Sequence, residues 1–496
     1  MKTVIGIDLG TQSTKIIFYD VVDKRIVAEA SAMHKMNSRG DGTREQEASW
    51  WIDAAIEAFA QIDKGIRDSA VALGVSGQQH GFVPIDNQGN VLYPVKLWCD
   101  TSTVEQCHTI NQNAGGIDRI IESAGNPVLP GYTASKILWF KENHKKLYDK
   151  METILLPHDY LNFRLTGEVV MEYGDASGTA LLDVKNRIWS EEILKALDSD
   201  RDLREALPNL IKAHEPAGFV SSEASELFGI PKGILVSSGG GDNMIAAIGT
   251  GTVVDGLMTM SLGTSGTLYG YSDKPVIDKE GNIAAFCSST GGWLPLLCTM
   301  NCTVSTEIIR KLLSVDVNNI DKLASKAMAG SGGLILLPYF NGERTPNFPN
   351  GKGTLIGMDL ENVKEENLIR CSMEAAIFGM RVGLESFKKL GFSPKEINLT
   401  GGGSKSMKWR QIAADILKTP IIVTENEEAA ALGGALQSLW AYNHIHGGEK
   451  ELTKLIADHC RGSEVLRYEP GSDTGVYDEI FRKYMKYIHA LSALFK

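Results

Sequence analysis

The stretch Val4-Ile-Gly-Ile-Asp8-Leu-Gly10-Thr11-Gln12-Ser13-Thr-Lys15 combines the groups a metal-bound phosphate chain requires. Gly10 lets the backbone approach a ligand. Thr11, Gln12 and Ser13 offer hydroxyls, an amide and backbone N–H donors, Lys15 a positive charge, and Asp8 a carboxylate for a hydrated cation. A second copy of the plan occurs about half a chain later, at Ser261-Leu-Gly263-Thr264-Ser265-Gly266. Ser261 stands there in place of Asp8, so one carboxylate reaches the metal if both tips grip one triphosphate. A third stretch, Val236-Ser-Ser-Gly-Gly-Gly241-Asp242-Asn243, runs from a strand through three glycines to an acid at a helix start. Asp is a favoured N-cap, but one glycine suffices for a turn. Three before a single carboxylate imply that a reactant must reach it, so Asp242 is expected to be catalytic.

These residues need elements to hold them. Apolar and β-branched runs flank both Leu-Gly-Thr tips, which predicts two hairpins and an internal duplication. Residues 25–30 predict a third strand. Residues 48–62 predict a helix capped by Ser49, with Trp51, Ala55 and Phe59 on one face. A buried strand at 70–75 ends in Ser76-Gly-Gln-Gln79-His80-Gly81, a polar loop at the strand end where open α/β sheets bind ligands. In Leu97-Trp98-Cys99-Asp100, Trp98 reads equally as a core anchor or a sugar platform, and Asp100 as a helix cap or an acceptor for hydroxyls. Segments 111–116 and 125–131 read as loops, 135–148 as a basic helix with a solvated face, and 175–178 as a loop. Residues 341–353 form a long run of turn formers whose central Arg344 suits a cleft or a plain surface. The Gly401-Gly402-Gly403-Ser404 turn before a helix suits an anion or a base. Gly433 and Gly434 inside an expected helix at 427–442 predict close approach of another element.

At 496 residues the chain is expected to form two domains, divided here as 1–248 and 249–496. A net charge of −11 without basic blocks argues against nucleic acid and anionic membranes as partners. Seven irregularly spaced cysteines show no CxxC pair and read as buried thiols of a reducing compartment. No signal segment or bilayer-length apolar run is apparent, and the expected location is the cytoplasm.

Taken together, both tips and the turn after Thr400 resemble the actin-like ATPase fold, an α/β architecture of two ribonuclease-H-like domains flanking a central cleft. The details are similar to the FGGY carbohydrate kinases over essentially the whole chain. The residues that carry this are Ser76–Gly81, Leu97-Trp98-Cys99-Asp100, Leu156-Pro-His-Asp159-Tyr160, Asp175-Ala-Ser-Gly178, Gly240-Gly-Asp242-Asn243, Gly401–Ser404 and Ala431-Leu-Gly433-Gly434-Ala435. Cys99 and Ser102 stand where many members carry Asn and Arg. Gln79 and His80 replace the Arg-Glu pair of glycerol kinases. The resemblance implies ATP and Mg²⁺ as cofactors and transfer of the γ-phosphoryl group to the 5-hydroxyl of D-xylulose. It implies Asp242 as the base and Asp8 as the metal residue. Thr11, Gln12, Ser13, Lys15, Gly263, Thr264 and Ser265 would hold the phosphates, and Gly401, Gly402 and Ser404 would border the adenosine. Gln79, His80, Trp98, Asp100, Asp242 and Asn243 would hold the sugar. Dimers are common in such families, and a homodimer is an open expectation. Rival readings are a kinase for ribulose, fuculose or another polyol, and a conformational ATPase of the actin or heat-shock type.

Overall fold

The computed structural model describes residues 1–340, 342–424, 428–460 and 465–495. Asn341 of the expected long loop and Glu427 of the expected helix lie outside the described residues. The expected duplication is present as two sheets of one plan. In the first, Thr3–Leu9, Ser13–Asp20 and Arg25–Met33 form an antiparallel meander, with Asp8 opposite Lys15. Ala70–Gly77 and then Leu235–Ser237 lie parallel to the first strand, and Pro216–Phe219 closes the edge antiparallel. In the second, Leu257–Leu262, Gly266–Gly270 and Leu296–Thr299 form the meander. Glu396–Thr400 and Ile421–Thr424 follow in parallel, and Val465–Tyr468 closes the edge antiparallel. Both hairpin tips therefore sit at the carboxyl ends of parallel strands.

Period-two alternation divides the first hairpin between two layers. Ile5, Ile7, Ile16 and Phe18 pack with Trp51, Ala55 and Phe59 of helix Ala48–Ala60. Val4, Ile17 and Tyr19 pack on the other face with Ala431, Ala435 and Leu436 of helix Ala429–His446. The second layer thus comes from near the chain's end. It sits backbone to backbone on the first half. A Cβ on Gly6 would stand 1.8 Å from the Ala431 carbonyl oxygen, and one on Gly433 would stand 1.9 Å from that of Ile245. The mid-helix glycines mark the close approach expected of them.

Several local expectations need correction. The helix at 48 starts one residue before Ser49, and its N-cap Glu47 makes no side-chain cap bond. Of the segment 111–116 read as a loop, residues 111–113 close the helix Val104–Asn113, and Gly115 and Gly116 separate it from the helix Ile117–Ala124. Residues 175–178 belong largely to a short helix, Tyr173–Ser177. Helix Thr133–Asn143 is not a solvated basic face, because Lys136 is fully buried.

Candidate active site

The first sheet brings the two acids together through register. Asp8 pairs with Ser76 on the neighbouring strand, and Ser76 pairs with Gly240 beyond it, so the chain turns into Asp242 at the same sheet end as Asp8. Ser76 Oγ donates to Asp8 Oδ1 at 3.1 Å. Helix Asp242–Gly249 is capped by Gly241 without a side-chain bond, which leaves the Asp242 carboxylate free of cap duty. Its Oδ1 accepts from the Asn243 N–H at 2.7 Å and Nδ2 at 2.8 Å, and Asn243 Nδ2 also donates to Gln79 Oε1 at 2.9 Å.

Burial, and secondarily the charges of Asp8 and Asp175, push Asp242 up to about 7. Burial pushes Asp8 up to about 6. The Ser76 hydroxyl and Lys15 oppose that rise, and Glu428 adds to it. Two partly covered acids at one sheet end, the charge of Asp8 raising Asp242, fit a site that holds a cation. Among the described residues no group of three or more His, Cys, Asp and Glu side chains forms a closed metal cage. The one or two carboxylates present fit Mg²⁺, which keeps several waters and takes phosphate oxygens beside such groups.

The two tips are braced for phosphate work. In the first, the Gly10 N–H donates to the Ser13 carbonyl at 3.0 Å, and Trp98 Nε1 donates to Thr11 Oγ1 at 3.0 Å. Gln12 is exposed at the apex, with Thr11 and Ser13 half-buried beside it. In the second, the N–H groups of Thr303 and Cys302 at a helix start donate to the Gly263 and Thr264 carbonyls, at 2.9 and 3.0 Å. Thr264 is exposed and Ser265 half-buried. Gly401, at φ +83°, lies against the Leu262 backbone, so the glycine turn borders this tip. Ser404 Oγ donates to the Gly401 carbonyl at 2.7 Å, while Gly402 faces open space. Lys15, expected as a phosphate donor, has its ammonium ion-paired with Glu428 across the two halves.

The sugar candidates divide. Gln79, Asn243 and Asp242 form one hydrogen-bonded chain. His80 joins them from the same loop, its ring 4.7 Å from Tyr132 and 5.9 Å from Phe286 of the second half. Burial, then the charges of Lys136 and Arg344, hold the imidazole well below its usual value, so it is neutral. Trp98 serves as a brace for Thr11. Asp100 is overturned both as a cap and as a sugar acceptor. It is fully buried, and its oxygens accept from the Arg44 N–H (2.8 Å), Lys96 Nζ (3.2 Å), Ser102 N–H (3.0 Å) and Ser102 Oγ (2.6 Å). The next helix starts beyond it at Val104.

Sequence reasoning missed a layer beneath Gln79. His158 is buried between Asp175 (Nδ1 to Oδ2, 2.8 Å) and Asp159 (Nε2 to Oδ1, 2.9 Å), and Asp175 lies against Gly241. These carboxylates raise His158 well above its usual value against the opposing effect of burial, so it is an imidazolium. Its partners come from separate elements, and the only sequence signal was the pair of short motifs around 158 and 175. Arg344 comes from the long loop to the sugar side, near Gly131 and close enough to affect His80 and Tyr132, which realises its cleft-facing alternative.

The N-terminal domain of the FGGY family of carbohydrate kinases matches residues 3–249, and the C-terminal domain of that family matches residues 258–442. The xylulose kinase of Haemophilus influenzae is 41% identical over 98% of this chain and 99% of its own. The xyloylose kinase of Brucella ovis superposes with a TM-score of 0.91 at 28% identity, covering 99% of this chain and 100% of that one. The xylulose kinase of Bifidobacterium adolescentis does so with a TM-score of 0.82 at 32% identity, covering 98% and 99%.

Proposed function

The chain belongs to the FGGY family of carbohydrate kinases and is an ATP-dependent sugar kinase, and from that premise we propose that it phosphorylates D-xylulose at the 5-hydroxyl. The observation that carries the mechanism is the convergence of Asp8 and Asp242 at one sheet end, each raised by burial and by a neighbouring charge. Asp242 accepts the proton of the attacking hydroxyl. A base with a pKa near 7 is well matched to that task at neutral pH. Asn243 and Gln79 fix the orientation of its carboxylate and, with neutral His80, offer hydrogen bonds to the sugar.

Asp8 would hold the cation. When bound, Mg²⁺ neutralises charge on the β- and γ-phosphates. The tips at Thr11–Ser13 and Gly263–Ser265 hold those phosphates from opposite halves, and Gly401, Gly402 and Ser404 border the adenosine. Grips from both halves favour closure on the ternary complex, which excludes water and limits futile hydrolysis. Among the described residues no helix is long and apolar enough to cross a membrane. The free thiols of all seven cysteines support a cytoplasmic location. ADP release coupled to NADH oxidation, measured with D-xylulose, ribulose, fuculose and glycerol, tests the reading. Turnover at or above the xylulose rate with another acceptor would reassign the substrate. ATP hydrolysis indifferent to every sugar would end the kinase reading.

A further inference from the structure

Lys136 does not belong to the reacting groups, yet it is built into the sugar loop. Its helix, Thr133–Asn143, starts beside His80, and the side chain is fully buried. Nζ donates to the His80 carbonyl at 2.6 Å and to the Gly131 carbonyl at 2.7 Å. Thr133 Oγ1 donates to the same His80 carbonyl at 3.2 Å. Among the described residues no carboxylate lies within ion-pair distance of Lys136. A buried ammonium held only by neutral carbonyls is expensive, and burial pulls it down to about 7. An apolar side chain of similar length would fill the space at lower cost.

The geometry of His80 gives such a lysine a purpose. His80 sits at φ +64°, a left-handed conformation rare for residues with a side chain. Strain of that kind persists only where surrounding contacts over-determine it. The carbonyl clamp from Lys136 and Thr133 supplies the contacts on the backbone side. Tyr132, Phe286 and Gly178 hold the ring, which would meet any Cβ placed on Gly178 at 2.5 Å.

We propose that Lys136 is a positioning residue for sugar recognition: by clamping the His80 carbonyl it holds His80 and Gln79 in their sugar-binding arrangement without touching the sugar. This rests on the assignment of Gln79 and His80 to the sugar site. The test compares Lys136→Met, Lys136→Ala and His80→Ala by steady-state kinetics, varying D-xylulose and ATP separately. Lys136→Met raises KM for xylulose about ten- to a hundredfold, the range lost with a charge-assisted hydrogen bond, while KM for ATP changes less than about twofold. Ethylamine, entering the vacated space, restores xylulose affinity to Lys136→Ala and not to Lys136→Met. A purely structural lysine would alter both KM values together and respond alike to the amine in both variants, which overturns the proposal. An unchanged KM for xylulose in Lys136→Met, with His80→Ala impaired, also overturns it. An unimpaired His80→Ala instead overturns the sugar-site assignment beneath it. If the Lys136 variants are insoluble, Thr133→Val removes the second donor to the same carbonyl. It raises KM for xylulose alone, and no change there sinks the clamp.

Discussion

Substituting Gly433 by Ala opposes two quantities of known size. In an exposed helix interior the change would stabilise by about 1 kcal/mol through backbone entropy. Here the new Cβ would stand 1.9 Å from the Ile245 carbonyl oxygen, 2.8 Å from its carbon and 3.0 Å from the Gly249 nitrogen. A carbon and an oxygen settle at about 3.3 Å, so the helices Ala429–His446 and Asp242–Gly249 must part by about 1.4 Å, with no flexible side chain to absorb the overlap. Overpacking of a tight core costs about 1–3 kcal/mol and sometimes more. A contact made wholly of backbone belongs at the upper end, for a net loss of about 2 kcal/mol. The helix that must move also carries Asp242, and a displacement near 1 Å costs on the order of a hundredfold in rate. Gly379→Ala is the control, because that mid-helix glycine has nothing within 4 Å of its missing Cβ. Thermal unfolding is expected to show Gly433→Ala several degrees below the parent and Gly379→Ala at or above it. A Gly433→Ala protein that melts no lower than the parent, with normal kcat, would refute the packing argument.

Other outcomes are open to direct measurement. Asp242→Asn lowers kcat by about 10²–10⁴, the usual worth of a positioned base, while ADP binding by calorimetry stays near that of the parent. The raised Asp242 sets an acid limb: kcat/KM for the sugar falls about tenfold per pH unit below about 7. In the stability linkage the folded state binds the extra proton between the unfolded value of 3.8 and about 7, so this group's stabilisation is complete at low pH and lost as pH rises through 7. Asp242→Asn, which cannot ionise, is therefore more stable than the parent at pH 8 in urea melts and loses that advantage near pH 4. Asp100→Ala leaves the buried Lys96 with Glu45 as its remaining acid, 3.3 Å away. It costs on the order of 3 kcal/mol in chemical denaturation, and KM for the sugar shifts only as far as the fold loosens.

The central strands of both sheets were legible because hairpin tips, alternating strands and glycine turns are local signals, whereas the strands Pro216–Phe219, Leu296–Thr299 and Val465–Tyr468 were not read. Ile5 and Ile7 against Val4 announce two buried faces, and Asp8 and Asp242 stand out as carboxylates at strand ends. What lay hidden depends on distant partners. Lys136 looks solvated on its own helix, since nothing nearby tells that the His80 carbonyl will cover it. Asp100 read as a candidate ligand because the Arg44 N–H, 56 residues away, reaches it only after the chain has folded back. Helices 104–113 and 117–124 were obscured by polar residues on their outer faces and by the glycines between them.

Helix Ala429–His446 also constrains how the protein can be made. On a ribosome adding about 5–20 residues each second, roughly 20–70 seconds pass between completion of the first sheet's Ala70–Gly77 strand and arrival of the helix that roofs its second face. Until then Val4, Ile17 and Ala72 lack Ala431, Ala435 and Leu436 as cover, so the nascent chain presents an apolar slab that must be shielded or tolerated. A gene split between the halves would leave the amino-terminal fragment with that slab bare, and the fragments would regain solubility only when expressed together.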